Sequence, residues 1–396
     1  MSSDDPSPQS ASSEESEEID LFKDGPQKPT PHDLLEMEIE DGVEDTTADE
    51  TLSEPAKIDK IAALRGWFRG DTKDIDAFLA GEVDVQATAE KLARPIDASY
   101  STGDYGRRVY AEEMTARDQR TYHSAEEALE MWGPEQDIRP PSPSTSSLPS
   151  TEGQLWELWY AILHAARRIP WTDAAGQERL LALVQALKAR ADPPLPADAT
   201  VPLRNHWVWE SGALWSEATL LGPSARECWN DGCGCAAGWT PVERRAWANI
   251  NAFAARLTAA GTADFARYGS WALSAALECR PGSTASHHLA PPEVQSTLLV
   301  TLAAVWVQIA GRRMWGQRAD GGVKREAGVE VALGAREKKL PWRARGLGDE
   351  VMFCSARWEF WRRRFAQEAG NEVLGDEVRG MAGEAAETIE GFLDGA

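Results

Sequence analysis

The spacing of its apolar residues divides the chain near residue 150. Beyond that point apolar side chains recur every three or four positions, the period of helices with one buried face. Leu155, Leu158 or Trp159, Ile162 and Ala166 form one stripe that ends before Pro170. Thr172 is placed to cap a second helix, with Leu180, Leu183, Val184 and Leu187 on one side and Pro193-Pro194 to stop it. A looser stretch with Trp207, Trp209 and Trp215 follows, and Gly222-Pro223 opens a short helix to Trp229. Pro241 suits the first turn of a helix over residues 241–260, striped by Trp247, Ile250, Ala254 and Leu257 and closed by Gly261. Thr262 then caps a run through Phe265, Gly269, Ala272 and Leu277. Residues 291–313 are apolar; Cys354, Trp358, Trp361 and Phe365 stand at i, i+4, i+7 and i+11; residues 371–393 read as an Ala-rich terminal helix or helix pair. With no β-strand run and no fixed-period repeat, the pattern predicts an all-α fold, an irregular multi-helix bundle.

Before residue 150 the pattern thins. Residues 1–55 carry 18 acids and two bases, with two apolar islands: Ile19-Asp20-Leu21-Phe22, and Leu34, Leu35, Met37 and Ile39. Such a segment buries too little apolar surface to offset its ordering entropy, so it is expected to be a disordered acidic tail, either solubilising or able to fold on a partner. Residues 56–98 hold three short helical patterns. Ile58, Ile61 and Leu64 lead to Trp67 or Phe68 and end at Gly70; Ile75, Phe78 and Leu79 follow Asp71 or Thr72; Val85, Ala89 and Leu92 follow Asp84 and are closed by Pro95. Too short to cover their own apolar faces, these helices are expected to dock on the main body. Residues 99–150 read as a low-complexity insertion or linker, with one helical patch at 124–132 marked by the capping-box pair Ser124 and Glu127. Residues 151–396 form the main Trp-rich helical domain.

Composition sharpens this division. The net charge is −23, of which residues 1–150 contribute 35 acids against 14 bases, so the second half is nearly balanced. Fifteen of the 17 tryptophans lie after residue 150, enough large rings for a substantial core. The N-terminus has no basic start and no apolar stretch, so no secretory signal is expected, and five cysteines at no regular spacing suggest reduced thiols. An intracellular location, cytoplasmic or nuclear, follows as the expectation. The longest uncharged stretch, residues 294–311, has 18 residues, the lower limit for a membrane span. Thr297, Thr301, Ala304 and Gln308 fall on one face of it and Leu298, Leu302, Val305 and Ile309 on another, which suits a buried, weakly amphipathic helix and no membrane.

Five segments in order, LWELWYAILHAARRIPW (155–171), LLALVQALKARADPP (180–194), LLGPSARECWN (220–230), VERRAWANINAFAARLTAAG (242–261) and SARWEFWRRRF (355–365), resemble a family of uncharacterised proteins of filamentous fungi, known as a domain of unknown function. The opening helices, with GEVDVQATAEKLARP (81–95), resemble the start of the same family. The resemblance implies an all-helical intracellular fold and brings no activity, cofactor or catalytic residue. The acidic tail, the insertion near 100–150 and the Gly/Cys segment 231–238 depart from it.

Candidate chemistry is sparse. Cys228, Cys233 and Cys235 form a C-x₄-C-x-C cluster without the second knuckle of a structural zinc site, so they are weak metal candidates against the simpler reading of a surface loop. His164 shares a polar helix edge with Glu157, as a general base would, and as many semi-exposed helix histidines do. Asn249 and Asn251 flank Ile250 mid-helix, an unfavourable place for asparagine, which points to a buried clamp or, with His164 and Arg256, to ligand contacts in a pocket lidded by Trp207, Trp209 and Trp215. Residues 312–364 carry 14 bases and seven acids, including Arg336, Lys338, Lys339, Arg343, Arg345, Arg362, Arg363 and Arg364. That texture is either a solvated helix face or an anion or nucleic-acid surface, although Trp358 and Trp361 on the apolar stripe belong to the core. No nucleophile elbow, metalloprotease motif or phosphate loop occurs, so no cofactor and no catalytic residue is assigned. The expected function is a non-enzymatic intracellular interaction or scaffold protein, with a protein partner met through the acidic tail or a helical surface. A small-molecule binder or enzyme with a Trp-lined pocket, and an anion or nucleic-acid binder, are the alternatives.

Overall fold

The computed structural model describes residues 30–141, 149–194, 213–230, 239–278, 292–318 and 352–395. Among these residues there are fourteen α-helices and no strand. In chain order they are α1 Pro31–Ala48, α2 Glu54–Arg65, α3 Lys73–Leu79, α4 Val85–Ser99, α5 Tyr105–Arg120, α6 Ala125–Trp132, α7 Thr151–Arg168, α8 Ala174–Lys188, α9 Leu221–Asn230, α10 Pro241–Ala259, α11 Ala266–Leu277, α12 Pro292–Gly316, α13 Ser355–Ala369 and α14 Asp376–Asp394. A π-helical turn, Tyr100–Asp104, joins α4 to α5.

Helix α10 is the axis. Thr240 caps it through a reciprocal pair with Glu243, Pro241 fills the first turn, and nearly every residue from Ala246 to Thr258 is buried. Helices α2, α7, α8, α11 and α12 pack around it, and α14 joins α12 and α13 on the far side. Apolar packing sets the arrangement, but polar clamps fix the register. Asn251 donates to the Trp247 carbonyl at 2.9 Å, and its Oδ1 accepts from the buried Trp306 indole N–H of α12 at 2.9 Å. Other indoles are held in the same way: Trp159 donates to Thr219 O, Trp215 to Asp97 and Trp361 to Glu278. Trp358 and Trp361 are fully buried, on the stripe their spacing indicated.

Helix α12 is long and apolar enough to cross a membrane by length and composition, yet more than half of it is covered by the bundle, with Val305 and Trp306 fully enclosed. Its approach to α11 is very close. A Cβ on Gly269 would stand 2.6 Å from Met314 Sδ and 2.7 Å from Trp306 Cε3.

Three expectations need correction. Part of the acidic tail is the helix α1: Thr30 and Asp33 form its capping box, Val43 and Thr46 are buried against α2, and Lys57 Nζ closes its end on the Thr47 carbonyl at 2.7 Å. Its apolar stripe is thin, and α2 completes it. Residues 1–29 lie outside the described residues. The stretch read as an insertion or linker is largely the α5–α6 hairpin, which charge rather than apolar periodicity holds. Buried Glu113 accepts from Arg120 at 3.0 Å, Arg120 also donates to Gly133 O, and buried Asp104 receives the Thr151 N–H. The patch at 124–132 is helical with the expected Ser124–Glu127 cap. Finally, Pro95 does not end α4, which runs on to Ser99. Its ring faces outward while buried Ala93 and Ile96 anchor the helix on both sides, so one missing hydrogen bond is tolerated.

Two tests follow. Asn251→Leu leaves the Trp306 N–H unpaired in the core and should cost about 1–3 kcal/mol in chemical denaturation, and Trp306→Phe in the same chain should recover part of that loss. Gly269→Ala should cost about 1–3 kcal/mol through overpacking, whereas Gly380→Ala, with nothing within 4 Å of its Cβ, should gain about 0.5–1 kcal/mol in helix α14.

Candidate functional site

The chain leaves α2 through Gly66, in the left-handed region at φ 74°, and residues 67–72 carry it across the body into α3. Between this loop, α3, α4 and α7 lies a cleft of about 500 Å³. Ile75, Leu92, Ile96, Leu158 and Ala161 make its apolar floor. Charged groups form its rim. Asp71 accepts the Lys73 backbone N–H at 2.7 Å, and Asp74 pairs with Lys91 at 2.7 Å. The side chains of Arg69, Lys73 and Glu157 make no ion pair or hydrogen bond among the described residues. The cleft therefore offers an apolar surface with two cations on the loop side and one carboxylate on the α7 side.

Beside it, a polar network fastens the N-terminal helices to the body. His164 is buried on α7, stacked on Phe68 with ring centroids 4.4 Å apart, and its Nε2 lies 2.7 Å from Asp59 Oδ1 of α2. Arg168 reaches Asp59 at 3.5 Å, Asp76 at 2.5 Å and Thr72 at 3.1 Å. Burial pushes the imidazole below its ordinary range, against the opposing pull of Asp59. Half-burial opposes ionisation of Asp59, but the His164 hydrogen bond and Arg168 outweigh it and hold the carboxyl below the usual range. The pair is thus a neutral imidazole donating through Nε2–H to a carboxylate, with Nδ1 enclosed and unpartnered. That geometry fastens helices; it gives His164 no open face toward a substrate. The partner in sequence order is Asp59, not Glu157.

The other residues singled out from the sequence are dispersed. Asn249 accepts the Trp171 N–H at 2.8 Å and donates to Arg167 O at 2.8 Å, joining α10 to the α7–α8 connection. Arg256 faces Glu178 of α8 at 3.5 Å; burial draws its pKa down, with Glu178 and Asp173 opposing. None of His164, Asn249, Asn251 and Arg256 lines the cleft. Cys228 is a buried cysteine on α9. Cys233, Cys235, Trp207 and Trp209 lie outside the described residues, as do Arg336, Lys338, Lys339, Arg343 and Arg345. Arg362 pairs with Glu390 at 3.6 Å, Arg364 donates to Leu277 O and Glu368, and Arg363 points outward, so two of the three arginines of that cluster serve the α11–α13–α14 packing. No cluster of three metal-ligating side chains occurs among the described residues. The cleft itself was not indicated by the sequence: Arg69 sits in an aperiodic loop, Lys73 opens the short helix α3, and only the fold brings Glu157 opposite them.

The acid response of the seam has a definite sign. Because the folded pKa of His164 lies below the unfolded value of about 6.5, the unfolded chain takes up the proton first, and stability falls as pH drops through that window. Asp59, depressed in the fold, adds stability that is lost only at still lower pH. In urea unfolding, the wild-type midpoint should fall between about pH 7 and pH 5.5, and His164→Gln, which keeps an N–H for Asp59, should flatten that slope.

Residues 159–365 match the family described as a protein of unknown function, DUF3632. No curated protein and no solved structure matches the chain. The match spans more than half of the sequence, from the middle of α7 to the apolar stripe of α13, and the chain belongs to that family.

Proposed function

We propose that this protein is a non-enzymatic helical interaction module working inside the cell, with the cleft between the 67–72 loop, α3, α4 and α7 as its docking surface. The observation that carries this reading is the pairing of an apolar floor with three rim charges, Arg69, Lys73 and Glu157, whose side chains make no ion pair among the described residues. Elsewhere the buried polar groups described above are engaged in holding helices together, which favours a rigid body over a reaction centre. A second reading, a small-molecule binder, is favoured by volume alone, since about 500 Å³ falls within the range of ligand pockets.

Site-specific photo-cross-linking separates the two. With benzoylphenylalanine in place of exposed Lys73, the full chain in its own cells should give a discrete polypeptide adduct, and the same probe at exposed Glu372 should not. An adduct-free Lys73 position, together with thermal stabilisation by a small-molecule fraction, would instead establish the second reading.

A further inference from the structure

We infer that in the free protein the cleft is occupied by the chain's own residues 17–24, EEIDLFKD, so that a partner must displace them. This rests on the reading of the cleft as a docking surface and adds its regulation.

Reach comes first. Helices α1 and α2 run antiparallel: Glu40 pairs with Arg65, and Leu64 lies against Gly42. The start of α1 at Thr30 therefore lies at the same end of the hairpin as the loop that carries Arg69 into the cleft rim. Ten helical residues separate Thr30 from Glu40, about 15 Å. Phe22 precedes Thr30 by eight residues, which span at most about 28 Å of extended chain. The apolar island is thus tethered within range of the cleft, and a short tether gives it an effective concentration no free peptide matches.

Chemistry comes second. Ile19, Leu21 and Phe22 are the only large apolar residues between Met1 and Thr30, and they match the floor of Ile75, Leu92, Ile96 and Leu158. Glu17, Glu18 and Asp20 precede or interleave with them, and Lys23 follows. The rim has the complementary order: Arg69 and Lys73 on the loop side for the acids, and Glu157 on the α7 side for Lys23. Of the remaining rim acids, Asp74 is neutralised by Lys91, and Asp71 accepts the Lys73 backbone N–H. Attraction of this kind acts within about 8 Å at physiological salt, so it orients a segment already held nearby.

The test uses the full chain with benzoylphenylalanine at Phe22. Irradiation of the monomer should link it to residues 69–75, 92–96 or 154–161, mapped by mass spectrometry. The double substitution Arg69→Glu and Lys73→Glu should lower that yield at least fivefold at low salt, with an unchanged melting temperature because both side chains are exposed. Links elsewhere in the chain, links only to a second copy, or a yield indifferent to the charge reversal would each overturn the inference. Those outcomes with a polypeptide adduct still forming at the Lys73 probe would leave the docking reading standing. Loss of both would remove the cleft from function.

Discussion

A helix enclosed on every side has no water to satisfy its polar groups, and α10 is such a helix. Burying an amide or an indole N–H without a partner costs about as much as several buried methylene groups contribute. The carboxamides of Asn249 and Asn251 meet that constraint by reaching outward to the neighbouring elements: Asn249 to the α7–α8 connection, Asn251 to Trp306 of α12. Gln177 of α8 adds a bond to the Ile169 carbonyl at 2.9 Å. Apolar packing would allow these helices to slide along α10 with little penalty. The paired polar groups do not, and so they specify one arrangement of the body.

Much of this body was legible because it is written in local periodicity. The stripe Cys354, Trp358, Trp361 and Phe365 needs only its spacing to be recognised, and Pro241 with Gly261 brackets α10 by backbone chemistry alone. Where stabilisation is nonlocal or charged, the sequence was mute. Helix α1 owes its order to Ile58 and Ile61 of α2 and to Val242 and Ala246 of α10, which cluster with its Val43. The α5–α6 hairpin depends on Glu113 meeting Arg117 and Arg120, a pattern indistinguishable in sequence from an ordinary solvated face. Pro95 reads as a stop and is carried through by tertiary packing. His164 suggested Glu157 because a helix places it nearby, and its true partner stands 105 positions earlier.

The seam between the N-terminal helices and the body differs in kind from the core. Arg65 joins Glu40 and Glu243, Arg245 pairs with Glu54, Arg168 bridges Asp59 and Asp76, and Arg167 lies 4.7 Å over the Trp67 ring. Half-buried ion pairs of this type contribute modest net stability, because desolvation offsets much of the attraction, but they are demanding in geometry. They align α2 and α3 on α7, and Ile75 and Phe78 of α3 add apolar packing against the core.

That distinction bears on how the cleft is built. The family match begins at Trp159, and of the residues lining the cleft only Ala161 falls inside it. The cleft is thus built mostly outside the matched region: α3, α4 and the loop give one side, with Ile75 and Ile96 packed into the main core, and the first half of α7 gives the other. The cleft exists only while the seam is closed, since α3 and α4 form one wall and α7 the other. Its shape is therefore coupled to a set of paired charges and one neutral histidine, whereas the indole-packed bundle is not. A change that breaks those pairs would loosen the cleft's rim first, while Ile75 and Ile96 of its floor stay packed in the core.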